Sequence, residues 1–237
     1  MDTATNNGKP QSSPLPGLLL LLSATTGLVD AVSVLGLGKV FTANMTGNIV
    51  FLGFALAGTP GFSIATTSVA LLTFFCGAFI GGRTGQTYGS RPLRQWLVIS
   101  AMIEAALLWI AAIVSLFFDP KGLGPQWALL SIIGLTAIAM GFRNATIRQL
   151  KVPDLTTTVL TLTITGIAAD SRLAGGSAPN LKRRVGAILA ILAGAAIGAL
   201  LVTRVGLALP LGVAGLIVLA GTIICVRHPA TAVPHAA

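Results

Sequence analysis

The stretch VFTANMTGN, Val40 to Asn48, decides the topology of this chain. It holds four Thr or Asn residues and one Gly, and apolar runs flank it on both sides. A membrane-spanning helix avoids such a density of amides and hydroxyls, because every polar group in hydrocarbon needs an internal partner. The stretch therefore reads as a loop between spans or the start of a segment that enters the membrane without crossing it, with a short crossing segment as the alternative.

The composition around it sets the solvent. Of 237 residues, 54% are hydrophobic and only 9% are charged, where a soluble domain carries about 25% charged residues. Mean hydropathy is +0.89. Apolar runs cover about 17–37, 64–82, 95–117, 127–147, 185–203 and 206–226. They approach the roughly 20 residues that cross a bilayer as a helix. They lack the period-2 alternation of a barrel, so the fold class is an all-α membrane protein. Shorter runs at about 42–57 and 155–168 reach only about 24 Å and 21 Å at 1.5 Å per residue. Both fall short of the roughly 30 Å hydrocarbon core. The expected architecture is six transmembrane helices plus two short interrupted or re-entrant segments. Residues 1–16 read as a disordered tail, 17–226 as a single transmembrane domain and 227–237 as a C-terminal tail. The run GLLLLLS near the start continues apolar to Leu37, too long for a signal-peptide core, and reads as a retained first helix.

Two internal matches suggest a duplication. GLVDA (27–31) corresponds to GFRNA (141–145) and GAFIG (77–81) to GAAIG (194–198), at offsets of 114 and 117. The expected repeats are about 17–117 and 127–226, each ordered long, short, long, long. The 15 Lys and Arg residues test the topology. If all eight segments cross, the basic residues other than Arg143 split seven to seven. If neither short segment crosses and the N-terminus is inside, they split eleven to three. Arg83, Arg91, Arg94, Arg148, Lys151 and Arg172 are then among those inside, and only Lys39, Lys121 and Arg204 lie outside. That obeys the positive-inside rule. A seven-span variant with the N-terminus outside scores the same, but gives equivalent segments different behaviour. Three spans per half is an odd number, so the six-span reading makes the halves inverted repeats. Short interrupted segments in matching positions of inverted halves point to a transporter's central site.

Several residues are candidates for chemistry. Asn44 and Asn48 share one face of a short helix, with Thr46 and Gly47 between them, and Thr42 or Asn44 can cap it. Free N–H groups there suit a polar or anionic ligand. The alternative role for such residues is interhelical hydrogen bonding. Thr158, Thr161 and Asn144 are the matching substrate-binding candidates in the second half. Asp30 and Glu104 lie inside spans, where a carboxylate costs about 2.5–3.5 kcal/mol on insertion scales. They are the proton-coupling candidates, against a structural role in bonding neighbouring Thr or Asn. Arg143 either snorkels to the interface, pairs with Asp30 or Glu104, or binds an anionic solute. The Gly/Ala spacing in 77–82 and 194–198 reads as a close-packing surface.

Other classes find no support. The basic residues lie between apolar runs rather than on one surface, which excludes a nucleic-acid binder. Cys76 and Cys225 sit in apolar segments and imply neither a disulfide framework nor a metal site. No catalytic motif and no cofactor fingerprint is present, so no enzyme and no cofactor is expected. The partners expected are membrane lipid, a small solute and a second copy of the chain in a homo-oligomer.

The combination GLVDAVSVLGLGKVFTANMTGNIVFLG, then GAFIGG, then GFRNA before a Thr-rich segment, resembles the YoaK family of bacterial inner-membrane proteins. Asp30, Phe41, Asn44, Thr46, Gly47 and Asn48 carry the specific part. The resemblance covers roughly 17–226 and implies a multi-pass protein of a domain-of-unknown-function family, without a substrate. From the residues, the expected function is proton-coupled secondary transport of a small polar or anionic solute. A passive channel and a membrane scaffold or subunit are the alternatives. The expected location is the bacterial inner membrane, with the C-terminus cytoplasmic.

Overall fold

The computed structural model describes residues 13–152, 157 and 160–233. Their order is α1 (Leu15–Gly36), α2 (Met45–Leu56), α3 (Ile64–Tyr88), α4 (Leu93–Ser115), α5 (Gln126–Leu150), α6 (Thr161–Ala169), α7 (Leu181–Val205) and α8 (Ala208–Val226). Six of these are long and apolar enough to cross a membrane: α1, α3, α4, α5, α7 and α8. No β-strand occurs among the described residues. α2 has 12 residues and α6 has 9, so they span about 18 Å and 14 Å.

Leu15 and Pro16 belong to α1 rather than to a tail, because proline in a first helical turn lacks only an N–H that has no partner there anyway. At the other end, Pro229–Thr231 form a 3₁₀ turn. The Thr231 hydroxyl donates to Val226 O, and the Leu93 N–H at the start of α4 donates to Val233 O at 3.0 Å.

α1 lies along α7 and α5 along α3, while α4 packs on both α5 and α8. α1 and α5 are the most enclosed of the six and α7 the least. Glycines set the two closest helix pairs. A Cβ on Gly27 would overlap Ile191 O and the Ala195 N–H; one on Gly194 would overlap Ala24 O; one on Gly198 would meet Leu28 and Ala31. The other pair repeats these contacts. A Cβ on Gly141 would overlap Phe74 O and the Ala78 N–H; one on Gly77, Ile138 O; one on Gly81, Phe142 and Ala145. Each contact of the first set becomes one of the second when α1 residues are moved by 114, as from Gly27 to Gly141. The α7 residues move back by 117, as from Gly194 to Gly77. In lipid, where apolar burial drives little association, such close backbone approach supplies the dispersion contact that holds helices together.

The helix ends gather in two groups. Leu18 of α1, Leu97 of α4, Leu150 of α5 and Cys225 of α8 pack at one end, with Tyr88 of α3 against them. This end carries Arg91 and Arg94. At the opposite end the last turn of α1, the 61–66 segment and the start of α5 meet around Leu37, Phe62 and Leu129.

Candidate functional site

The buried hydroxyls of α1 and α5 illustrate how polar residues survive here. Ser23, Thr25 and Thr26 each donate to a carbonyl three or four residues earlier, and Thr136 and Thr146 do the same. Charged groups cannot be satisfied within one helix, and they meet where α1, α4 and α5 converge.

Arg143 on α5 is 2% exposed and Glu104 on α4 is 4% exposed. Arg143 Nε donates to Glu104 Oε1 at 2.7 Å, and Nη2 donates to the same oxygen. Nη1 donates to Leu22 O and to Thr26 Oγ1, both at 3.0 Å. One guanidinium thus ties three helices through four hydrogen bonds. Arg143 does not reach the interface by snorkelling: its α5 position faces α1 and α4, and a carboxylate and a carbonyl meet it there. Beside the pair is a cavity of about 30 Å³, with Ser100, Thr146 and Thr222 as its other polar walls. An ordered water needs about 10–15 Å³ by this measure, so the space holds about two. The Ser100 hydroxyl is buried there without a protein partner.

Asp30 stands one turn beyond Thr26 on α1. Its carboxyl lies near the Ala43 N–H and within electrostatic reach of Arg143. Its Oδ1 is buried and has no hydrogen-bond partner. The polar stretch of the sequence is thus folded against Asp30. Gly38 and Lys39 turn the chain with φ of 81° and 58°. Asn48, with no exposed surface, then clasps the returning strand: its Oδ1 accepts from the Phe41 N–H at 2.9 Å and its Nδ2 donates to Phe41 O at 2.6 Å. Gly47 leaves room for the Phe41 ring. Asn44 caps α2 by accepting from the Gly47 N–H at 3.3 Å, and it is exposed, as is Thr46. Thr42 is fully buried, with an unpartnered hydroxyl. Asn44 and Asn48 therefore do not present one shared face: one amide caps the helix, and the other closes the loop.

In the second half, Asn144 is half-buried and donates to Met140 O at 2.8 Å. Thr161 begins α6 and is exposed. Thr158 lies outside the described residues. α6 rests on α7, where Arg184 Nη1 donates to Asp170 Oδ2 at 2.7 Å and the guanidinium covers Gly166. Among the described residues no cluster of three metal-ligating side chains occurs.

Thr26, Ser100, Thr146 and Thr222 join the site without having been singled out in the sequence. Ser100 lies four residues before Glu104 and Thr146 three after Arg143, so helical spacing could have found both. Thr222 comes from α8, and only packing brings it in.

Six apolar spans around a buried ion pair define a multi-pass α-helical membrane protein. The chain belongs to the family described as "Protein of unknown function (DUF1275)", whose model matches residues 18–224. It is also similar to the UPF0700 transmembrane protein YoaK of Bacillus subtilis (strain 168), with 33% identity over 159 residues. That match covers 65% of this chain and 65% of the relative's own length. No solved structure matches.

Proposed function

We propose that this protein is a secondary transporter of a small polar solute, coupled to protons through Asp30. The observation that carries the reading is the charge inventory of the core. Asp30, Glu104 and Arg143 approach one another inside the spans, and Arg143 neutralises only Glu104 directly. With Asp30 ionised the cluster holds one negative charge; with Asp30 protonated it is neutral. A carboxyl at such depth is costly and marks ion and proton pathways. In the proposed cycle Arg143, held to Glu104 when Asp30 is protonated, turns toward Asp30 when that carboxyl ionises.

The two-fold pattern of helix contacts supports inverted halves. α1 begins where its counterpart α5 ends, as an odd number of spans per half requires. The proposed solute path passes Asn44 and Thr46, the exposed polar residues of the outer segment, and Thr161, exposed at the start of α6. Asn48 serves it by holding the loop in shape. In this reading the Arg-rich end, with the start of α1 and the end of α8, faces the cytoplasm of a bacterial plasma membrane.

The test is flux. The protein is reconstituted in liposomes containing a pH-sensitive dye, and small solutes are screened for proton movement. Asp30→Asn keeps the shape and removes the titrating group. It should abolish solute-driven proton movement while the purified protein retains its helical circular dichroism. Proton movement unchanged in Asp30→Asn refutes the coupling role.

A further inference from the structure

The Arg-rich end holds a second site, unconnected with the ion pair. Tyr88 at the end of α3, Arg91 in the turn before α4, Arg94 in its first turn, and Val226 at the end of α8 line a pocket of about 390 Å³. Its rim is cationic: both arginines are exposed, and among the described residues neither makes an ion pair. The Arg91 guanidinium lies 4.9 Å from the centre of the Tyr88 ring, which holds it in place without neutralising it. The floor is different. Val98, Ile99 and Val226 present apolar walls running from the rim into the membrane-spanning region. The helix terminus contributes little, since the Leu93 and Gln95 N–H groups already donate to Val233 O and Pro92 O.

A cationic rim over an apolar wall, at the depth where a span meets water, matches one ligand chemistry: a phosphate ester carrying acyl chains. We propose that this pocket binds the head group of an anionic phospholipid. Arg91, Arg94 and Gln95 hold the phosphate, and the Val98, Ile99 and Val226 wall takes the upper part of a chain. Arginine suits the task because its planar fork engages phosphate oxygens in pairs. Basic pockets between helices at this depth are known lipid head-group sites.

The test uses the full-length protein in a neutral detergent. Bound phosphatidylglycerol and phosphatidylcholine are titrated and counted by native mass spectrometry. The protein should retain phosphatidylglycerol in preference to phosphatidylcholine. The double variant Arg91→Gln, Arg94→Gln should bind phosphatidylglycerol roughly thirtyfold more weakly, from about 1 kcal/mol per basic residue and tenfold per 1.4 kcal/mol. Phosphatidylcholine binding should not change. Arg91→Lys, Arg94→Lys should recover part of the preference, and Arg204→Gln, on the far side, should keep all of it. Equal loss of both lipids, or an unchanged preference in the double Gln variant, overturns the proposal. Inorganic phosphate competing as well as the lipid would reassign the pocket to a soluble phosphate, and overturns it too.

Discussion

Glu104→Leu should be among the most harmful single changes in this protein, and the structure sets its size. Arg143 would lose both bonds to Glu104 Oε1 and keep those to Leu22 O and Thr26 Oγ1. A guanidinium cannot shed its proton, so a buried positive charge would remain with only a carbonyl and a hydroxyl to face. Breaking a buried pair by removing one partner costs about 3–5 kcal/mol; the two surviving bonds place this case near the lower end. At roughly 2–4 °C per kcal/mol for a chain of this size, the melting temperature should fall by about 6–12 °C. Arg143→Met should cost less, because the orphaned carboxyl can discharge itself by binding a proton. The double variant Glu104→Leu, Arg143→Met removes both charges and should recover to within about 1 kcal/mol of the native protein. The assay is thermal unfolding in detergent, read for all four proteins as a double-mutant cycle. Additive effects of the two single changes, or a Glu104→Leu shift under about 1 °C, would refute the view that this pair is buried and mutually neutralising.

The repeated glycine contacts make a paired prediction. Gly27→Val and Gly141→Val each drive side-chain atoms into a neighbouring backbone, at Ile191 and Phe74 respectively, so both should lower the melting temperature by a similar and large amount. A large loss at one and none at the other would contradict the equivalence of the two interfaces. Topology is checked with Ser90→Cys and Ser177→Cys in a background where Cys76→Ser removes the exposed native thiol. Both new thiols should be protected from an impermeant reagent added outside cells, and labelling of either would reverse the assignment of the Arg-rich end.

Much of the architecture follows from one-dimensional signals. Length and hydropathy alone identify six spans, because a helix must cover the hydrocarbon with apolar residues whatever it packs against. The same constraint marks 42–57 and 155–168 as too short. The pentapeptides at offsets of 114 and 117 identify the helix faces that meet, because only glycine and alanine admit such close backbones. Asp30 and Glu104 stand out for the same reason that they are costly: hydrocarbon tolerates few carboxylates, so each one marks a place where the fold supplies polar company. What that company is depends on contacts 39 and 121 residues apart along the chain, between Arg143 and Glu104 and between Arg143 and Leu22. No periodicity encodes them, and the sequence left Arg143 with three roles of which packing selects one. The polar stretch at Val40–Asn48 shows the division most clearly. Its sequence alone says that its segment is too short and too polar at its start for an ordinary span. That Asn48 turns back to hold Phe41 is decided only when the loop closes, because an amide takes whichever backbone partner the tertiary fold brings within about 3 Å.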